Sequence, residues 1–323
     1  MSIEARTIEI VYSSTPRFCS MLRSSAEAIA AALATRYSDV RLTRVNTISD
    51  LDDITDRHPD LVFLGMKYVY DNQGDEYWIS SHLDKLGIAY TGSDQLAHSL
   101  EANKQLAKQR VIEHGLATSP YLVTNGTTIG DTSNMTYPLF VKPSNRGGGK
   151  GVDRDSVVHT PQQLTDKVEL LIARYGGNAL IEEYLSGREF SVSIVGTSDN
   201  QLLALPIELV AEPNDRGVRI LSSSVKSSNT EVVSRVTDLS LKQRIDSLAL
   251  AIFAALGARD YGRIDMRLDA AGNPQFLEAN LIPSLAEGYG SFPKACDMYG
   301  HLSYSAMIIS IAQMGLRRTI PLA

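Results

Sequence analysis

Two carboxylates and an amide oxygen fall at β-strand spacing within residues 263–280, RIDMRLDAAGNPQFLEAN, and that combination can hold a hard cation. The alternating runs 263–268 and 275–280 flank Asp269-Ala270-Ala271-Gly272-Asn273, which is turn chemistry, so the stretch predicts a β-hairpin. A period of two puts Arg263, Asp265 and Arg267 on one face of the first strand, and Phe276, Glu278 and Asn280 on one face of the second. Ile264, Met266, Leu268, Leu277 and Ala279 then form the core face. No lysine within the stretch neutralises both Asp265 and Glu278. Like charges opposed on a sheet are destabilising, so the pair predicts a cation between them. Oxygen-only ligands favour Mg²⁺ or Mn²⁺ with room for water and phosphate. The plain alternative is a charged, solvated hairpin face.

A second stretch supplies the complementary charge. Residues 138–152, PLFVKPSNRGGGKGV, run as a strand to Lys142 and then into Gly147, Gly148 and Gly149. Position 144 is Ser and Lys150 is followed by Gly151, so this is not a Walker A loop. Glycines still let backbone N–H groups approach phosphate oxygens, and Lys142 adds a fixed charge, although the glycines alone would be an ordinary flexible turn. Lys104 opens a helix predicted over 103–114 and closed by Gly115, where the N-terminus favours anions; taken alone it would be an ordinary solvated lysine. Residues 179–195, ALIEEYLSGREFSVSIV, read as strand, Ser186-Gly187 turn, strand. Glu182 and Glu189 flank the turn, as an adenine slot with a carboxylate for ribose hydroxyls would require. Residues 211–230 are polar, serine-rich and without clean period, which predicts a mobile loop over the site or a solvated linker. Lys226 is its best phosphate-directed residue.

At 323 residues the chain has room for two or three domains. With 43% hydrophobic and 21% charged residues it has ordinary globular composition, and a net charge of -6 argues against a general nucleic-acid or anionic-membrane binder. The opening MSIEARTIEI lacks an apolar signal region, and the apolar-rich tail 303–316 is too short and polar to span a bilayer. Cys19 and Cys296 form no CxxC and read as reduced thiols, so a cytoplasmic protein is expected. Six histidines never fall at i, i+4, and no GxSxG occurs, which removes support for zinc proteases and α/β-hydrolases.

The elements that must position these residues follow from periodicity. Residues 7–12, 40–45, 61–66 and 88–91 predict strands, with helices at about 20–36 and 77–86: a parallel sheet flanked by helices. No GxGxxG follows the first strand, whose loop Ser13-Ser14-Thr15-Pro16-Arg17 suits part of a substrate pocket at strand C-terminal ends. A second segment starts near Ser93. Residues 240–256 form an amphipathic helix with Ser240 and Gln243 as a capping box and Gly257 as its stop.

Lys104, then FVKPSNRGGGKG, then LIEEYLSGREFSV, then GRIDMRLDAAGNPQFLEAN, in that order and over nearly the full length, resemble the ATP-grasp ligases, most closely the D-alanine:D-alanine ligase branch. The resemblance implies a mixed α/β and α+β, three-domain ATP-grasp fold: a Rossmann-like domain at 1–92, a central subdomain at 93–185 and a C-terminal subdomain with the metal site at 186–323. It implies that Lys104 and Lys142 meet ATP phosphates, together with Gly147, Gly148 and Gly149. Glu182, Glu183, Tyr184 and Leu185 would border adenine and Glu189 would hold ribose. Asp265, Glu278 and Asn280 would ligate two Mg²⁺ ions, with Mn²⁺ as a substitute. Arg263, aided by Lys142 and Lys226, would stabilise the transferring phosphoryl group. Small amino-acid substrates and a homodimer are implied too.

Three departures set this chain apart from that branch. Gly148 stands where the family has a serine, Glu183 where it has a lysine, and the segment STPRFCS carries no acid to grip a substrate ammonium. In the acceptor stretch, Glu287, Gly288 and Tyr289 replace small and hydroxyl-bearing residues, with Arg17 as a candidate counter-charge. An amino-acid ligase with rebuilt pockets is therefore expected. The alternatives are an authentic D-alanine:D-alanine ligase and a nucleotide-binding module without turnover.

Overall fold

The computed structural model describes residues 3–15, 21–126, 128–147, 149–197, 199, 201–213, 217–222, 225, 228, 230–300 and 302–318. Arg17, Cys19, Gly148 and Lys226 lie outside the described residues.

The chain opens with strands β1 (Glu4–Tyr12), β2 (Tyr37–Arg44) and β3 (Leu61–Leu64), in the parallel order β2-β1-β3. All four residues of β3 are buried, and the strand period divides them between the two faces of the sheet. Leu61 and Phe63 join Ile8 and Ile10 on the face covered by α1 (Arg23–Ala34), while Val62 and Leu64 join Val11 on the face covered by α2 (Ile48–Thr55). The expected fourth strand is only a bridge, Val62 to Tyr90. Helix α2 was not expected, although Thr47 and Asp50 form a reciprocal capping box at its start. A hairpin of β4 (Tyr68–Tyr70) and β5 (Glu76–Trp78) leads into α3 (Ile79–Lys85), close to the predicted 77–86.

Helices α4 (Gln95–Ala102) and α5 (Lys104–Glu113) follow, α5 capped by the Asn103 side chain and ended by Gly115 at φ +68°. Strands β6 (Tyr121–Thr124), β7 (Leu139–Pro143), β8 (Val157–Val158) and β9 (Ala179–Glu183) form an antiparallel sheet, ordered β6-β9-β7-β8. Helix α6 (Pro161–Tyr175) buries Leu164, Val168 and Leu171 on its Leu139, Val141 and Ile181.

A second antiparallel sheet, ordered β12-β11-β10-β13-β14, comprises β10 (Glu189–Gly196), β11 (Leu202–Val210), β12 (Val232–Arg235), β13 (Tyr261–Leu268) and β14 (Pro274–Asn280). The Ser186-Gly187 turn therefore carries the chain from one sheet into the other. A Cβ on Gly187 would sit 2.6 Å from the Leu268 Cβ and O, so the sharp crossing requires glycine. Helix α7 (Leu239–Ala255) packs beneath, and Asp238, not Ser240, caps it, accepting from the Ser240 and Leu241 N–H groups. Ala97, Ala107 and Val111 place α4 and α5 on this same core. Helices α8 (Ser291–Met298) and α9 (Tyr304–Leu316) return to the first sheet, where Phe292, Met307, Ile308 and Ile311 meet Ile8 and Ile10.

The hairpin β13–β14 departs from strict alternation. Asp265 pairs with Glu278 and Arg263 with Asn280 as expected, but Met266 pairs with Phe276 and Leu277 is the extra residue of a bulge. Phe276, expected on the polar face, is consequently in the core, and Leu277, expected in the core, is half-buried.

Candidate active site

A cleft of about 750 Å³, open to solvent, lies where the two antiparallel sheets approach, with Lys104, Lys142, Glu182, Asp265 and Glu278 among its walls. Lys142, on β7, ion-pairs with Glu182 at 2.5 Å. The other Glu182 oxygen meets Lys108 at 2.9 Å, so one carboxylate serves two buried ammonium groups. Burial opposes ionisation of Glu182, but Lys108 and Lys142 outweigh it and bring its pKa down to about 2. Burial likewise pushes the Lys108 pKa down, against Glu182, whereas for Lys142 the nearby carboxylates overcome burial and raise it. Lys108 also donates to Thr118 Oγ1 at 2.7 Å and to the Phe276 carbonyl at 3.3 Å. Nothing in the sequence argument identified Lys108. Its signal was its place on α5, four residues after Lys104 and among the buried Ala107 and Val111.

Lys104 begins α5 and donates to the Arg146 carbonyl at 2.6 Å, which fixes it to the glycine-rich loop. Its ammonium is also 3.3 Å from Glu278. Asp265 accepts from Ser191 Oγ at 2.9 Å and from Arg263 Nε and Nη2, each at 2.9 Å. Arg263 further donates to Ser291 Oγ at 3.3 Å. The expectation of an uncompensated acid pair is thus corrected: a cation from another element reaches Glu278, and Arg263 on the same strand covers Asp265. Among the described residues no three His, Cys, Asp or Glu side chains converge as a metal cluster. The donors in register are two carboxylates and the Asn280 amide, an oxygen-only set that fits Mg²⁺ chemistry when substrate and water complete the shell.

The cleft wall also has apolar members, Phe140, Leu185, Ile220, Leu221 and Leu277. The Phe140 and Tyr184 rings stack at 6.3 Å. Glu183 accepts the Thr136 N–H at 2.8 Å, and Glu189 pairs with Arg267 at 3.3 Å. Segment 211–230, expected to be a polar loop, contributes buried Ile220 and Leu221 and a Pro213 to Arg219 bridge.

Not every expected residue comes to this cleft. Gly149 lines it, while Gly147 does not. Arg263 and Asn280 lie two pairs along from Asp265 and Glu278, beyond the Ile264–Ala279 pair, and neither is in the cleft wall. Glu287, Gly288 and Tyr289 are exposed on the turn before α8, apart from the cleft wall. A further cluster also escaped the sequence argument: Glu101 pairs with Lys67 at 2.5 Å and with His98 at 3.4 Å. Burial opposes its charge, but Lys67 and His98 bring its pKa to about 2; burial pushes the Arg263 pKa down, and Asp265 first, then Glu278 and Glu101, outweigh it and raise it.

Two antiparallel sheets closing on one cleft after a parallel α/β unit define the ATP-grasp fold. The match to the D-alanine–D-alanine ligase from Bacillus anthracis solved with ATP covers 97% of this chain and 98% of that chain, at a TM-score of 0.75 and 22% identity. Residues 112–313 match the family described as D-ala D-ala ligase C-terminus, and the chain belongs to that family of ATP-dependent carboxylate–amine ligases. The D-alanine–D-alanine ligase of Hydrogenovibrio crunogenus is 27% identical over 298 residues, 91% of this chain and 90% of that one. An uncharacterized Sinorhizobium fredii protein, y4sG, is 29% identical over 245 residues, 74% of this chain and 70% of its own length.

Proposed function

We propose that this ligase joins amino acids or similar small acids through an acyl phosphate, and that its preferred pair is not D-alanine with D-alanine. The observation that carries the chemistry is one cleft holding Lys104 and Lys142 together with Asp265 and Glu278. A carboxylate is a poor nucleophile toward an anionic phosphate, so charge must be neutralised and the reactants aligned. Lys104, Lys142 and the backbone of Gly149, in the loop that begins with Gly147 and Gly148, receive the phosphates, Tyr184 and Leu185 border adenine beside Glu182 and Glu183, and Glu189 receives ribose. Asp265, Glu278 and Asn280 would hold two Mg²⁺, or Mn²⁺ in its place, which would screen the phosphate charge. Arg263 and Lys226 meet the transferring group.

In the first step the substrate carboxylate oxygen bonds to the γ-phosphorus as the bond to ADP breaks. In the second the acceptor amine bonds to the acyl carbon, loses a proton, and phosphate leaves. Arg263, which bonds Asp265 and Ser291, is the residue assigned to stabilise the oxyanion of that step.

The altered substrate pair rests on the absence of an acid in STPRFCS and on Glu287, Gly288, Tyr289 and Arg17 as candidate substrate contacts. We assign the units 1–92, 93–185 and 186–323 to a cytoplasmic homodimer; no described helix is long and apolar enough to cross a membrane. The likeness to the D-alanine–D-alanine ligase of Hydrogenovibrio crunogenus favours a second reading, D-alanine:D-alanine ligation itself.

Asp265→Asn and Glu278→Gln are each expected to abolish ATP consumption, because each removes an anionic ligand from the cation set. Near-normal turnover of both variants at limiting Mg²⁺ would refute the metal assignment.

A further inference from the structure

Arg267 stands opposite Glu189 in the β10–β13 register and in the cleft wall, yet no step above uses it. Its guanidinium gathers four separate parts of the nucleoside end. Nε donates to the Gly187 carbonyl at 3.0 Å, in the turn that joins the two sheets. Nη1 reaches Glu189 Oε2 at 3.3 Å. Nη2 donates to the Tyr184 hydroxyl at 2.9 Å and to the Arg219 carbonyl at 3.2 Å, just before the cleft residues Ile220 and Leu221. The guanidinium also lies 4.9 Å from the centre of the Tyr184 ring.

A planar fork with five donors can fix several acceptors in one geometry, which a lysine cannot. Arg267 is only 8% exposed, so these bonds are shielded from competing water. A carboxylate that must accept hydroxyl protons works only in the right rotamer, and Glu189 on its own would sample several.

We propose that Arg267 is a positioning residue that holds Glu189 toward the ribose hydroxyls and so sets a preference for ribonucleotides over deoxyribonucleotides. This rests on the assignment of ATP to the cleft with ribose at Glu189. Arg267 itself touches the carboxylate, the flanking ring and two carbonyls; Glu189 makes the contact with the sugar.

The test is the ratio of dissociation constants for ADP and 2′-deoxy-ADP or 3′-deoxy-ADP with Mg²⁺, by calorimetry, in wild type, Glu189→Gln, Arg267→Met and Arg267→Lys. A hydroxyl bonded to a charged acceptor is worth about tenfold or more, so wild type should favour ADP over at least one deoxy analogue by that factor. Glu189→Gln and Arg267→Met should both bring the ratio near one, and Arg267→Lys should fall between. A purely structural arginine would weaken all three nucleotides alike and leave the ratio unchanged, and that result would overturn the inference. If Arg267→Met fails to fold, the ratio in Arg267→Lys decides, because retention of the full preference there would overturn it too. Failure of the underlying assignment looks different: the ratio would be indifferent to Glu189→Gln, or wild type would bind none of the three.

Discussion

Burying an ammonium group without water is costly unless a counter-ion accompanies it, and for Lys108 that ion is Glu182, at 2.9 Å. The same carboxylate holds Lys142, so the phosphate-directed lysine is oriented by a residue that sits behind it. Glu182→Gln would leave two ammonium groups facing a neutral amide and is expected to destabilise the fold by about 3–5 kcal/mol, measured by urea unfolding. Stability within about 0.5 kcal/mol of wild type would mean that the triad is not an energetic unit. Lys142→Ala should lower kcat through lost phosphate neutralisation; unchanged ADP binding and rate would remove Lys142 from the site. At this scale the convergence of Lys142, Asp265 and Glu278 was legible in strand period and turn chemistry, and that of Lys104 in the order of motifs that resembles the ATP-grasp ligases. Lys108 and Arg267 were not, since their significance arises from acceptors distant in sequence, the Phe276 and Arg219 carbonyls.

Strand period and turn chemistry located the hairpin β13–β14 and the Asp265–Glu278 register, but not the bulge between them. A single inserted residue reverses the faces of all that follows, and no local sequence feature marked Leu277 as the extra one. The consequence is measurable. Phe276→Ala should cost about 3–5 kcal/mol of stability, as for a buried aromatic, whereas Leu277→Ala should cost far less and should mainly weaken ATP binding. Equal stability losses would place Leu277 in the core after all. Helix α2 and the β4–β5 hairpin escaped notice because they are short, eight residues for α2 and three for each strand. The start of α7 was displaced because Asp238 and Ser240 are both good caps, and only backbone geometry chooses between them.

Two antiparallel sheets meet around one cleft, and the chain ties the three larger sheets together with elements that return across the molecule: α4 and α5 onto the second antiparallel core, α8 and α9 onto the first sheet. The order of motifs made this architecture legible, while the return of the C-terminal helices followed from tertiary packing alone. Acid should act on the whole assembly through Glu101 and Glu182, both held at about 2 against an ordinary value of 4.5. Because the folded values are depressed, their stabilisation is complete above the ordinary value and is lost as pH falls toward 2. Between pH of about 4.5 and 3 each group should lose up to about 2 kcal/mol, and a urea midpoint that stayed flat over that window would contradict the ion pairing. The central claim is tested most directly by ADP release and product mass spectrometry over L- and D-amino acids, singly and in pairs. The prediction is ADP, phosphate and one amide in equal amounts from a pair other than D-alanine with D-alanine. ATP turnover without an amide from any pair would contradict it, as would D-alanyl-D-alanine formed with a kcat/KM of about 10⁴ M⁻¹s⁻¹ or more.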